Sequence, residues 1–110
     1  MANALGIFLA GGLGCLSRYL VMVYFTPLLG FPVTLIVNVV GGFFAGFVAS
    51  KLPQLKPLFL AGFLGGFTTF SAFSLDCLAM IQNQEFLSAV LYILASVFLS
   101  LAAAWLGWVV

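Results

Sequence analysis

Residues 62–74, Gly62-Phe63-Leu64-Gly65-Gly66-Phe67-Thr68-Thr69-Phe70-Ser71-Ala72-Phe73-Ser74, combine three glycines, four hydroxyls and four phenyl rings within one apolar run. These groups can handle ions without carrying charge. A hydroxyl donates and accepts hydrogen bonds. A phenyl ring is negative on its face and positive at its edge, so an edge turned into a cavity meets an anion without burying a formal charge. Phe70 and Phe73 share a helix face at three-residue spacing, and Thr69 and Phe73 do so at four. A non-helical turn around Gly65-Gly66-Phe67-Thr68 would free carbonyl oxygens, which an unwound membrane helix offers to a bare alkali cation. The plainer role for membrane phenylalanines is packing or lipid contact. Their place beside Thr68, Thr69, Ser71 and Ser74 argues for more.

The elements that must hold this segment follow from composition. The chain has 110 residues, 65% hydrophobic and 5% charged, with no histidine. Soluble domains carry about 25% charged residues, so the chain reads as an integral membrane protein. At roughly 20 apolar residues per spanning helix, four spans use most of its length and predict a single all-α domain over residues 1–110. The expected spans are Leu5–Phe25, Val33–Ser50, Leu58–Ile81 with its interruption, and a last one from Phe86 to the carboxyl end. Lipid tolerates a glycine-broken helix only where protein or a polar cavity covers the freed backbone. Function is therefore expected at the third span.

Targeting and cysteine chemistry add little. Met1-Ala2-Asn3-Ala4 lacks the basic flank of a signal peptide, so the first apolar segment is expected to be retained. Cys15 and Cys77 fall inside spans, where a lone cysteine behaves as a small hydrophobe. No CxxC pair or metal-ligand cluster is present. With no histidine and no nucleophile–base pair, an enzyme is not expected.

Other spans carry stripes of small and polar residues. Thr34, Asn38, Gly42 and Gly46 recur every four residues on one face of the second span. The Gly42–Gly46 spacing suits close helix approach. Asn38 needs partners at that depth, and its amide offers two donors to an anion. In the first span Gly11, Gly14 and Arg18 share a face. Three roles are open to Arg18: raising the potential at a pore mouth, binding carbonyls at a helix break, or pairing with Asp76 of a neighbour. Ser96 and Ser100 stand four apart in the fourth span, where serines commonly bond back to their own helix. Lys51 and Lys56 sit on the side of both termini and Arg18 toward the other. That weak bias leaves both insertion orientations, and hence an antiparallel homodimer, physically open.

Three blocks resemble the Fluc/CrcB family of bacterial fluoride channels, in order and over nearly the whole chain. Gly11-Gly12-Leu13-Gly14-Cys15-Leu16-Ser17-Arg18-Tyr19 is similar to the family's GGxGAxxRY. Thr34 to Phe43 is similar to GTLxVNxxGSF, and Gly62 to Ser74 to GFxGGFTTFSTFS. The chain departs at Cys15, Val33, Gly42, Ala72 and Asp76, and the changes at Gly42 and Ala72 remove hydroxyls.

The resemblance implies a dual-topology antiparallel homodimer in the bacterial inner membrane, with two fluoride pathways and passive export that lowers cytoplasmic fluoride. It implies that Asn38, Phe70 and Phe73 line the anion path, with Thr34, Thr69, Ser71 and Ser74 as polar-track hydroxyls. Arg18 would stand near an aqueous vestibule. A structural sodium ion at the dimer centre would be held by the backbone carbonyls of Gly65 and Thr68. The competing reading is a small proton-coupled multidrug exporter of similar length. Such exporters need a membrane-embedded carboxylate, typically in the first span, and this first span holds Arg18 and no acid.

Overall fold

The computed structural model describes residues 4–110; the amino-terminal flank, residues 1–3, lies outside the described residues. Among those described there is no strand, and four rods are long and apolar enough to cross a membrane. Helix α1 is Ala4–Phe25 and α2 is Val33–Lys51. Pro32, in extended conformation, starts α2, and its missing N–H costs nothing at that position.

The third rod is composite. A short 3₁₀ turn, Pro53–Leu55, leads into a π-helical segment, Lys56–Leu64, then a single turn α3, Gly65–Phe67. After two extended residues it resumes as α4, Phe70–Gln82. The last rod, α5, is Phe86–Val109. The expected spans are thus present, with two differences. The third rod starts earlier, because Pro53 and Pro57 suit a helix's first turn and the chain coils directly out of α2. The break lies later than Gly65-Gly66-Phe67-Thr68: both glycines are helical, and Thr68 and Thr69 carry it.

Packing depends on glycine. On α2 and α5, a Cβ at Gly42 would press on the Ser100 carbonyl, one at Gly46 on that of Ala104, and one at Gly107 on that of Phe43. Backbone-to-backbone approach of this kind drives helix association in lipid, where the hydrophobic effect gives none. The close-approach role foreseen for Gly42 and Gly46 is what the structure shows. The α1 stripe does the same against the third rod: a Cβ at Gly14 would strike the Phe63 carbonyl, and one at Gly66 the Gly11 carbonyl. The π-helical segment and α3 pack on α1, whereas α4 packs on α5. The break hands the third rod from one neighbour to another.

Candidate functional site

Two torsion pairs make the break. Thr68 sits at φ −83°, ψ 155° and Thr69 at φ −150°, ψ 118°. Both are ordinary β-region values that a β-branched residue adopts without strain. Several polar groups at the break then find partners. The Thr68 amide and hydroxyl both donate to the Leu64 carbonyl, at 2.9 and 2.8 Å. Thr69 caps α4, its Oγ1 accepting the Ala72 amide at 3.0 Å, as an N-cap threonine does.

Asn38 of α2 reaches the same residue from the side. Its Nδ2 donates to the Thr69 carbonyl at 3.0 Å, and its Oδ1 accepts the Thr69 amide at 2.8 Å. From α1, Arg18 Nε donates to the Gly66 carbonyl at 3.1 Å. Of the roles open to Arg18, this contact is the one at a helix break. Asp76 has a partner within its own chain: the Tyr92 hydroxyl donates to Oδ2 at 2.8 Å.

Beside the break, α2, the third rod and α5 enclose a cleft of about 510 Å³. Asn38, Thr68, Thr69, Ser96 and Ser100 supply its polar atoms, with Phe70, Phe73 and Gly65 among the other lining residues. Among the described residues, no ionisable one lines it. The Phe70 and Phe73 rings stand 5.3 Å apart at 47°, and Phe73 packs on Tyr92 at 5.2 Å. The two rings differ sharply in setting: Phe73 is 9% exposed and Phe70 79%.

The other site residues foreseen in the sequence do not line this cleft. Thr34 is buried on the same face of α2. Ser71 Oγ lies 3.1 Å from Thr69 Oγ1, and Ser74 Oγ donates back to the Phe70 carbonyl at 2.9 Å. Arg18 reaches the break from α1. One participant was not foreseen, and another was expected to bond back to its own helix. Tyr92, which supports Phe73 and holds Asp76, is sixteen residues from Asp76, a separation that carries no periodic signal. Ser96 departs from the usual back-bonding serine: its Oγ is buried and has no hydrogen-bond partner among the described residues. The four-residue spacing to Ser100 was the only hint of it.

Thus an uncharged, donor-bearing cleft lies at a side-chain-clasped break in a four-span chain. Residues 5–108 match the family described as CrcB-like protein, Camphor Resistance (CrcB). The chain belongs to the CrcB-like family. It is 44% identical to a Geobacter metallireducens protein named Fluoride-specific ion channel FluC, over 97% of this chain and 94% of that one. A Rhizobium meliloti protein of the same name is 40% identical over the same shares. One from Hydrogenobaculum is 38% identical over 86% of this chain and 84% of its own. CrcB-like membership and four membrane-length helices make this a multi-pass bacterial membrane protein, and its relatives are named as channels, not enzymes.

Proposed function

We propose that this protein is a fluoride-specific ion channel that lets fluoride leave the cell passively and so lowers its cytoplasmic concentration. The observation that carries the reading is the cleft. Asn38, Thr69 and Ser96 bring donors to it and Phe70 and Phe73 bring rings, with no fixed charge to trap an ion. A small, tightly hydrated anion must exchange its water for closely placed donors. Neutral dipoles can do this and still release the ion. An unpartnered Ser96 hydroxyl is a ready donor. Phenyl edges add weaker positive potential. Where the membrane potential is inside-negative, a passive route suffices for export, even of fluoride that entered as neutral HF and ionised inside.

Phe70, exposed in the single chain, supports a pathway completed by a second copy. The weak charge bias between loops supports antiparallel insertion. The reading is therefore a dual-topology homodimer with two pathways, in which Thr34, Ser71 and Ser74 extend the polar track and Arg18 lies toward a vestibule. The break also suits a structural sodium ion. The Thr69 amide, which a continuous helix would give to Gly65, goes to Asn38, and Thr68 is extended, so the carbonyls of Gly65 and Thr68 are released from regular helix bonding. Carbonyl oxygen is the ligand a hard cation takes at an unwound membrane helix. Bound there, sodium would tie the broken rods together and raise the potential for nearby anions.

The test is efflux from liposomes holding the purified protein, with fluoride, chloride and a quaternary ammonium dye compared. Fluoride should leave rapidly while chloride and dye stay. Equal chloride and fluoride leak defeats selectivity, and dye transport driven by a proton gradient would point to the exporter class. Terminal reporters in cells should show both orientations; a single orientation defeats the antiparallel dimer.

A further inference from the structure

For the third rod to continue as an α-helix through residues 65–70, two successive bonds must close: Thr69 amide to Gly65 carbonyl, and Phe70 amide to Gly66 carbonyl. One member of each is bonded by a side chain from another helix, the Thr69 amide through its single hydrogen and the Gly66 carbonyl through one of its two lone pairs. Asn38 Oδ1 holds the Thr69 amide at 2.8 Å, and Arg18 Nε holds the Gly66 carbonyl at 3.1 Å. Glycine torsions do not impose the break, since no described glycine has positive φ and Gly65 is helical at φ −59°, ψ −35°. What Gly66 provides is proximity. A Cβ there would strike the Gly11 carbonyl and sit 3.0 Å from Cys15 Sγ, so only glycine lets α1 come close enough for Arg18 to reach.

We infer that Arg18 is a positioning residue: with Asn38 it forms a two-sided lock that favours the unwound rod, Asn38 holding the Thr69 amide and Arg18 giving the Gly66 carbonyl the donor that the Phe70 amide would supply in a continuous helix. Its guanidinium acts here through the Nε donor, not through net charge. A freed Gly66 carbonyl inside a membrane needs a new donor, and the nearest in sequence is the Phe70 amide. Rewinding by that bond rotates α4, and both rings with it, about the rod axis relative to α3. The lock thus couples a residue on α1, outside the cleft, to the placement of both rings. The consequence for flux rests on the channel reading; the lock itself does not.

Side-chain chemistry separates donor from charge. Glutamine carries a neutral N–H donor at the same chain position as arginine's Nε. Lysine keeps the charge but puts a methylene there, and methionine has neither donor nor charge. Amide hydrogen exchange on the purified full chain in detergent, read by NMR at Thr69 and Phe70, should be within about three-fold of wild type for Arg18→Gln. In Arg18→Lys and Arg18→Met the Phe70 amide should slow at least ten-fold. Fluoride efflux should follow the same order, and its dependence on ionic strength should be unchanged in Arg18→Gln. Should the lysine and methionine variants fail to fold while the glutamine variant folds, the order still favours the donor. Wild-type exchange at Phe70 in the lysine or methionine variant, faster exchange there, or a glutamine variant no better than methionine overturns the lock. Lysine outperforming glutamine in efflux, with a flattened salt response in the latter, assigns Arg18 to electrostatic steering instead. If the wild type passes no fluoride, the channel reading falls and the exchange order still decides the lock.

Discussion

Asn38 and Thr69 exchange two hydrogen bonds across 31 positions of sequence, Nδ2 to carbonyl and amide to Oδ1. One carboxamide therefore satisfies both backbone polar groups of Thr69, a residue that leaves the helix. Only one amide orientation does this, since the flipped side chain would set donor against donor and acceptor against acceptor. The same side chain lines the cleft, so the clasp fixes where its polar end stands.

Removing the clasp should cost both stability and flux. Asn38→Ala loses two half-buried bonds, about 1 kcal/mol each with more for any partner left unsatisfied. The thermal midpoint should fall, and fluoride efflux should drop at least ten-fold. Asn38→Asp keeps an acceptor for the Thr69 amide but sets a carboxylate oxygen against the Thr69 carbonyl, so it should be no better than alanine in efflux. Normal efflux with alanine would reduce Asn38 to a packing residue.

The two phenylalanines should separate in stability but not in function. Phe70 is 79% exposed in the subunit, so Phe70→Ile should leave unfolding of the single chain nearly unchanged. Phe73 is packed on Tyr92, and its replacement should destabilise by about 1–2 kcal/mol through lost ring contact and volume. Both variants should suppress fluoride efflux in liposomes; undiminished flux in either removes that ring from the pathway.

Glycine positions predict a graded series. Gly46→Ala and Gly107→Ala put a methyl against a backbone carbonyl of the facing helix, Ala104 or Phe43, which cannot move aside as a side chain would. Each should lower the thermal midpoint, by about 1–3 kcal/mol in stability. Gly12 meets nothing within 4 Å, so Gly12→Ala should be neutral or slightly stabilising. Measuring all three by thermal unfolding in one detergent checks the order.

The turn after α4 carries the only non-glycine residue with positive φ among those described, Gln84 at 60°. Glu85 donates its amide to Met80 and Gln84 donates to Ile81, closing the helix with a Schellman pair that ordinarily uses glycine at this position. Gln84→Gly should therefore stabilise the fold by about 0.5–1 kcal/mol without altering efflux. A lower thermal midpoint would show that the glutamine side chain contributes more than its backbone costs.

Composition alone determined that this chain lives in a membrane as four helices, because a 65% hydrophobic sequence with five charged residues has no other solvent. Periodicity then placed Asn38, Gly42 and Gly46 on one face and marked the hydroxyl-rich third span, since helical spacing is a local property. What spacing could not decide was which backbone groups are released. Glycine's reputation as a breaker pointed to Gly65 and Gly66, yet both are helical and the unwound residues are the threonines. The reason lies in partners remote in sequence: Asn38 holds the Thr69 amide, and Arg18 donates to the Gly66 carbonyl in place of the amide that a continuous helix would supply. Tyr92 beside Phe73, and the unpartnered hydroxyl of Ser96, likewise exist only once α4 and α5 are packed together.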